Sequence, residues 1–270
     1  MEYLLACPDK IKELLAAKFI LFLFDYDGTL APIAPTPQEV VLPEETKIIL
    51  RKLSAMPDCK IGIVSGRSLK DLKKAIGIQG IIYAGNHGFE IEGPKLKFES
   101  QVSPQFKAGL RKIARDLSSK LKGVEGVLIE DKGVTLSIHY RLVRGKDMPL
   151  FEKIISEATA FCVKNGKIKV ERGKKVYEIK PPVQWDKGKA ALWLLASQKF
   201  AIGEDKVISV YIGDDKTDED AFRALKGKGI TILVGGADRP VADYYLKDAE
   251  EVAKFLHLIL EAKENKLCVN

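Results

Sequence analysis

Three apolar stretches of the chain run without alternation and then stop at a residue able to do chemistry. Phe19-Ile20-Leu21-Phe22-Leu23-Phe24 ends at Asp25, Lys60-Ile61-Gly62-Ile63-Val64 ends at Ser65, and Val207–Ile212 ends at Gly213-Asp214. A run that is apolar at every position predicts a strand covered on both faces, as in a parallel sheet. Between these runs the spacing becomes helical. Pro43 followed by Glu44-Glu45 opens a helix to about Ala55, with Ile49 and Leu53 four apart on one face. Ser68 can cap another to about Ile76. The uncharged stretch Gly28 to Gln38 contains Pro32, Pro35 and Pro37 and therefore reads as loop. A short strand, Ile81 to Ala84, leads into Gly85-Asn86-His87-Gly88, and Phe89 to Glu99 reads as a hairpin turning at Gly93-Pro94.

The middle of the chain has a different rhythm. A helix from about Pro104 to Leu121 precedes strands near Val127–Glu130 and Val134–Tyr140. A helix near Pro149–Asn165 then precedes strands near Ile168–Glu171 and Val176–Lys180. Two αββ units in sequence predict a small sheet backed by two helices. Trp185 to Ala201 returns to helix, and the strand from Val207, a helix, a strand at Ile230–Val234 and a helix at Val252–Ala262 close the chain. The predicted fold class is α/β: a core of residues 1–103 and 181–270 around a parallel sheet, with an α+β domain inserted at 104–180. Sites on such sheets lie beyond the carboxyl ends of the strands, where Asp25, Asp27, Ser65 and Asp214 all fall.

Composition sets bounds on function. The 270 residues are 30% charged and 46% hydrophobic, enough for a packed core without staples. The net charge of +7 is unevenly spread: residues 104–180 hold 18 Lys+Arg against 9 Asp+Glu, and the remainder holds 26 against 28. A basic insert in an acidic host could meet an anionic small substrate or nucleic acid, or be a solvated lysine surface. Its scattered lysines, with no aromatic interleaving and no Cys/His finger, argue against nucleic acid. No aliphatic or aromatic run exceeds seven residues, far short of a membrane span, and the N-terminal residues do not form a basic, then apolar, export signal. Cys7, Cys59, Cys162 and Cys268 form no C-x-x-C pair. A cytoplasmic protein, neither exported nor anchored, is the expectation.

Asp25-Tyr26-Asp27-Gly28-Thr29 sets two carboxylates two residues apart just past a buried strand. Asp214-Asp215-Lys216-Thr217-Asp218-Glu219-Asp220 ends another. Acids brought together repel unless a cation sits among them, and Mg²⁺ suits a few carboxylates plus water and phosphate oxygens. Helix N-capping is the alternative for Asp218 to Asp220. An Asp beside a cation can attack phosphorus, a second acid can serve the leaving alcohol and then water, and Asp27 fits that second place. Hydroxyl and ammonium donors, Ser65 and a lysine, would stabilise the phosphoryl oxygens. No G-x-x-x-x-G-K-[ST] occurs, which disfavours a P-loop protein, and the acidic loops do not fit an EF-hand.

In order, Asp25-Tyr-Asp27-Gly-Thr29, Ser65-Gly66-Arg67, Lys187-Gly188 and Gly213-Asp214-Asp215-x-x-Asp218 resemble the four motifs of haloacid-dehalogenase-like phosphohydrolases. Within them the chain resembles the trehalose-6-phosphate phosphatases. That likeness rests on Leu30-Ala-Pro32-Ile33, Gly85-Asn-His87-Gly, Trp185-Asp-Lys187-Gly-Lys, the run Gly213 to Phe222, and, in the insert, Glu130-Asp-Lys132, Ile138-His139-Tyr-Arg141 and Tyr177-Glu178-Ile-Lys-Pro181. The resemblance implies a Rossmannoid core whose inserted cap reads a disaccharide. It implies hydrolysis of trehalose 6-phosphate, the final step of trehalose biosynthesis, through an aspartyl-phosphate with Mg²⁺.

By the same resemblance Asp25 is the nucleophile and Asp27 the general acid and base. Ser65 and Lys187 hold phosphoryl oxygens, with Lys189 the alternative to Lys187. The metal ligands are Asp25, the Asp27 main-chain carbonyl, Asp214 and Asp218, the last in the first shell or just behind it. Substrate contacts fall to Gly66, Arg67, Asn86 and His87 of the core and to Glu130, Lys132, Arg141 and Glu178 of the cap. A separate synthase would supply the substrate, and neither nucleic acid nor membrane is a partner. The alternatives are a phosphatase for another glycosyl phosphate, such as sucrose or glucosylglycerol phosphate, and a non-catalytic regulatory subunit. The presence of both Asp25 and Asp27 argues against the subunit.

Overall fold

The computed structural model describes residues 1–236 and 241–267. The chain divides into two compact units, one of residues 1–34, 38–99 and 185–270 and the other of 35–37 and 100–184. The second unit thus takes in 100–103 and 181–184 on either side of the helix-to-strand span, together with three residues of the proline-rich loop.

The first unit begins with β1 (Glu2–Tyr3) and α1 (Pro8–Ala16). Next come β2 (Phe19–Phe24), α2 (Glu44–Ala55), β3 (Cys59–Val64), α3 (Leu69–Ile76), β4 (Ile82–Gly85), β5 (Glu90–Gly93) and β6 (Leu96–Glu99). The inserted unit carries α4 (Pro104–Lys120), β7 (Leu128–Asp131), β8 (Leu136–His139), α5 (Met148–Lys164), β9 (Lys169–Gly173) and β10 (Val176–Lys180). The chain then resumes the first unit with α6 (Lys187–Ile202), β11 (Val207–Gly213), α7 (Asp218–Leu225), β12 (Gly229–Val234), β13 (Tyr244–Leu246) and α8 (Ala249–Leu267).

The first unit is built on a nine-stranded sheet ordered β1-β13-β12-β11-β2-β3-β4-β5-β6. The seven strands from β1 to β4 pair in parallel, whereas β5 and β6 add an antiparallel hairpin to the edge. The sheet is therefore mixed at one margin, because the Phe89–Glu99 hairpin folds back on β4 with Tyr83 opposite Glu92. The apolar run of β2 serves both faces. Ile20, Phe22 and Phe24 join the core beneath α2, α3 and α8, while Phe19, Leu21 and Leu23 join the core beneath α6 and α7. That division explains why the run does not alternate. From β2 the chain winds outward through β3 and β4; after the insert it winds the other way from β11 through β12 to β13. The reversal between β2 and β11 is the crevice where α/β sheets hold ligands.

Two short strands, the edge strand β1 and its neighbour β13, and helix α1 have no signal in the sequence pattern. Two- and three-residue strands are too short to show a period, and Leu14 is the fully buried residue of α1. Helix α8 begins three residues before Val252 and runs past Ala262. Cys7, Cys59 and Cys162 are free thiols, and Cys268 lies outside the described residues.

The inserted unit is a four-stranded antiparallel sheet ordered β7-β8-β10-β9. Ile129, Leu136, Ile138 and Ile179 point to one face and pack with Leu110 and Leu117 of α4 and Phe151 and Ile155 of α5. Strand periodicity sends their neighbours Glu130, Ser137, His139 and Glu178 to the opposite face. Phe151 is fully buried, 5.3 Å from the Tyr140 ring and 5.9 Å from Tyr177. Replacing Phe151 by Ala should cost about 3–5 kcal/mol of the insert's stability, read as a lowered urea midpoint, with little effect on unfolding of the first unit.

Candidate active site

Asp25 follows β2 directly and is locked to the neighbouring strand by its N–H, which donates to the Ile212 carbonyl at 2.9 Å. Lys187 is the first residue of α6, positioned by Asp186, whose side chain caps the helix by accepting the Lys189 N–H at 2.8 Å. The buried Lys187 ammonium donates to Asp25 Oδ1 at 2.7 Å and to Asp218 Oδ1 at 2.8 Å. Lys189 sits half-buried outside this pair of contacts. Glycines follow from the crowding. A Cβ on Gly188 would lie 2.4 Å from the Asp220 carbonyl oxygen, and one on Gly213 would lie 2.3 Å from the Asp218 carboxyl carbon.

Asp218 accepts more hydrogen bonds than a capping residue would. Its Oδ1 receives Lys187 and the Tyr211 hydroxyl at 2.8 Å, and its Oδ2 receives the backbone N–H groups of Asp214 at 3.1 Å and Asp215 at 2.9 Å. The donors come from α6, from β11 and from the loop before α7, and none from α7 itself, so N-capping does not describe it. Both oxygens are engaged with protein donors. Asp214 lies near the Thr29 hydroxyl, 3.5 Å from its Oδ1.

Ligand atoms of Asp25, Asp214 and Asp218 lie within 4.8 Å of one another, and all three residues are buried. Burial raises the Asp25 carboxyl well above the usual range. Lys187 opposes that shift, and the neighbouring charges of Asp218, Asp214 and Asp27 add to it. Burial works to lower the Lys187 ammonium, yet Asp218 and Asp25 outweigh it and push it up. Tyr211 is raised by burial and by Asp218, so it acts here as a neutral donor. Three clustered acids with one ammonium bonded to two of them make a donor set that could hold a metal ion, with Asp25 and Asp214 the better placed ligands.

Asp27 turns to a different partner. Arg67 grips it with a two-point fork, Nε donating to Oδ2 at 2.8 Å and a terminal NH₂ donating to Oδ1 at 2.5 Å. The Ser65-Gly66-Arg67 loop is pinned by the turn after β4: the Asn86 N–H donates to the Arg67 carbonyl at 2.7 Å and the His87 N–H to the Ser65 carbonyl at 2.8 Å. Asn86 and His87 both take left-handed backbone, with φ 51 and φ 58, and the His87 ring lies against Gly66. The Asn86 amide donates to Glu90 at 2.5 Å.

In the inserted unit Glu130, Lys132 and Glu178 come together. Lys132 Nζ is 3.3 Å from Glu178 and 3.8 Å from Glu130, His139 bonds Glu130 at 3.2 Å, and the Ser137 hydroxyl donates to Glu178. Burial raises the Glu130 carboxyl, but His139 and Lys132 hold it below its usual value. Arg141 is not in that cluster; it is exposed and donates to the Lys174 carbonyl at 3.2 Å. Two residues of these clusters escaped sequence reading. Tyr211 and Ser137 each carry a hydroxyl on a strand, but Ser209 in β11 and His139 in β8 are polar on the same faces, so the pattern singled neither of them out.

These strand-end carboxylates on a parallel sheet with an inserted unit define a haloacid-dehalogenase-like hydrolase fold. A solved hydrolase of that description from Bacteroides thetaiotaomicron is 19% identical with a TM-score of 0.63, over 90% of this chain and 100% of its own. Residues 23–250 match the trehalose-phosphatase family, and the chain belongs to that family. It is 34% identical to probable trehalose-phosphate phosphatase D of Arabidopsis thaliana, over 96% of this chain and 72% of that protein. The C-terminal domain of the trehalose-6-phosphate phosphatase of C. albicans is 26% identical with a TM-score of 0.81, covering 94% of this chain and 96% of that domain.

Gly28 tests the crowding at this site. Its φ is +92, and a Cβ there would lie 2.3 Å from Asp214 Oδ2. Gly28→Ala should lose about 1–3 kcal/mol, measured by chemical denaturation, because it combines backbone strain with displacement of Asp214.

Proposed function

We propose that this chain is a phosphatase that hydrolyses trehalose 6-phosphate to trehalose and inorganic phosphate. The observation that carries the reading is the buried cluster of Asp25, Asp214 and Asp218, with Lys187 bonded to Asp25 and Asp218, in a chain of the trehalose-phosphatase family.

In the first half-reaction a carboxylate oxygen of Asp25 attacks phosphorus. The bond from phosphorus to the sugar oxygen breaks, its electron pair goes to that oxygen, and the Asp27 carboxyl supplies the proton, leaving trehalose and an aspartyl-phosphate. In the second, the Asp27 carboxylate takes a proton from water, whose oxygen attacks phosphorus and displaces Asp25, releasing phosphate. Ser65 and Lys187 hold the phosphoryl oxygens as charge spreads over them. Asp25, Asp214 and the Asp27 main-chain carbonyl would hold Mg²⁺, which neutralises phosphoryl charge when bound. Asp218, its oxygens already committed, orients Lys187 and the Asp214 loop from behind.

Sugar recognition falls to the polar face of the inserted sheet, with Glu130, Lys132 and Glu178 acting as one charged group and Arg141 contributing separately. In the first unit, Gly66, Asn86 and His87 would contact the substrate. The substrate would come from a separate synthase acting in the same cytoplasmic compartment.

Phosphate release should be strong from trehalose 6-phosphate and weak from glucose 6-phosphate and sucrose 6-phosphate at matched concentration. Preference for sucrose 6-phosphate would keep the Asp25 chemistry and overturn the sugar assignment. Asp25→Asn should abolish turnover in a chain that still folds, as read by circular dichroism, and full retained activity would exclude the covalent route. Millimolar Mg²⁺ should raise the melting temperature reversibly to chelation, and Asp214→Asn should remove that shift. A shift that survives in Asp214→Asn would place the ion elsewhere.

A further inference from the structure

We propose that Arg67 is a positioning residue that holds Asp27 in line for proton transfer, and does not act as a ligand of the substrate. The proposal deepens the reading of Asp27 as the acid and base and rests on it.

Arg67 is fixed along its whole length. Its backbone N–H donates to Ser65 Oγ at 3.2 Å, and its carbonyl accepts the Asn86 N–H at 2.7 Å. Its guanidinium stacks 4.9 Å from the centroid of the Tyr26 ring, which is fully buried. From that platform the fork reaches both oxygens of Asp27. The side chain of Arg67 is 12% exposed, against 35% for Asp27. The guanidinium is thus the sheltered member of the pair and the carboxyl the one that faces outward.

An aspartate side chain rotates over a broad range about χ2, so an unheld carboxyl spends little time aimed at a leaving oxygen. A two-point guanidinium contact removes that freedom, because both oxygens must stay in the plane of the fork. Lysine cannot do the same, since it offers a point charge and no plane. Arg67 has two donor groups, its Nε and one terminal NH₂, committed to this task, which leaves its fork unsuited to a phosphoryl group. The arrangement also links three loops: Asp27 after β2, Ser65 after β3 and Asn86 after β4 are all tied through one arginine. In this reading Asn86 and the Tyr26 ring act on the chemistry at one remove, by keeping Arg67 in place.

The leaving group supplies the test. Phenyl phosphate and p-nitrophenyl phosphate are close in size and carry no sugar, but the nitrophenolate departs without needing a proton while the phenolate needs one. kcat/KM, which reports formation of the aspartyl-phosphate, would be measured for both esters with wild type, Arg67→Lys, Arg67→Ala and Asp27→Asn, each checked for an unchanged melting temperature. If Arg67 aims Asp27, both Arg67 variants lose about tenfold or more on phenyl phosphate beyond whatever they lose on the nitro ester, in the same direction as Asp27→Asn. Equal losses on the two esters would make Arg67 a phosphate ligand and overturn the proposal. Unchanged aryl esters with a raised KM for trehalose 6-phosphate would make it a sugar ligand and also overturn it. If Asp27→Asn itself shows no leaving-group dependence, the acid assignment fails and takes the proposal with it. A steep Asp27→Asn beside flat Arg67 variants removes this proposal alone.

Discussion

One buried ammonium organises the active end of the core. Lys187 Nζ lies within 2.8 Å of both Asp25 and Asp218, and all three residues are cut off from water. An ion group of this kind is costly to desolvate and more costly to break, since removing one member strands the others. Much of the local architecture follows from keeping it intact. Helix α6 has to begin at Lys187, α7 at Asp218, and β2 and β11 have to end side by side. The glycines at 188 and 213 let the two helices and the loop come close enough for the contact.

How much of this could be read from the chain depended on how strongly each residue's neighbours were repeated locally. The central strands were legible because burial on both faces leaves an unbroken apolar run, and Asp25, Ser65 and Asp214 stand where those runs end. The short strands Glu2–Tyr3 and Tyr244–Leu246 were not, because pairing of two or three residues is decided by the partner strand and leaves no pattern of its own. The antiparallel hairpin was visible as a hairpin, but its attachment to β4 is a long-range event. At the site, residue types were legible and pairings were not. Arg67 was readable as a cation beside the chemistry, whereas its grip on Asp27 joins residues 40 positions apart.

The inserted sheet shows the same contrast. Alternation along Leu136–His139 and Val176–Lys180 sends Leu136, Ile138 and Ile179 to the helices and Ser137, His139 and Glu178 away from them. The register pairs Glu130 with Ser137 and Ser137 with Glu178, which is why two acids and a lysine far apart in the chain form one cluster. Arg141 falls just past the end of β8, where the strand's geometry no longer directs it, and it turns to a main-chain carbonyl instead.

The insertion also splits the core in time. β2 pairs along its length with β11, with Phe19 opposite Val207, so the central seam of the sheet cannot close until the whole insert and α6 have been made. The inserted unit, by contrast, has its entire buried cluster in hand by Ile179. Contacts between distant segments form slowly, and the unpaired edge of a half-built parallel sheet is open to wrong partners meanwhile. Nascent chains of this protein therefore keep one edge of the apolar strand Phe19–Phe24 unpaired after β3 has been made, and the interval before residue 207 is the one most open to wrong pairing.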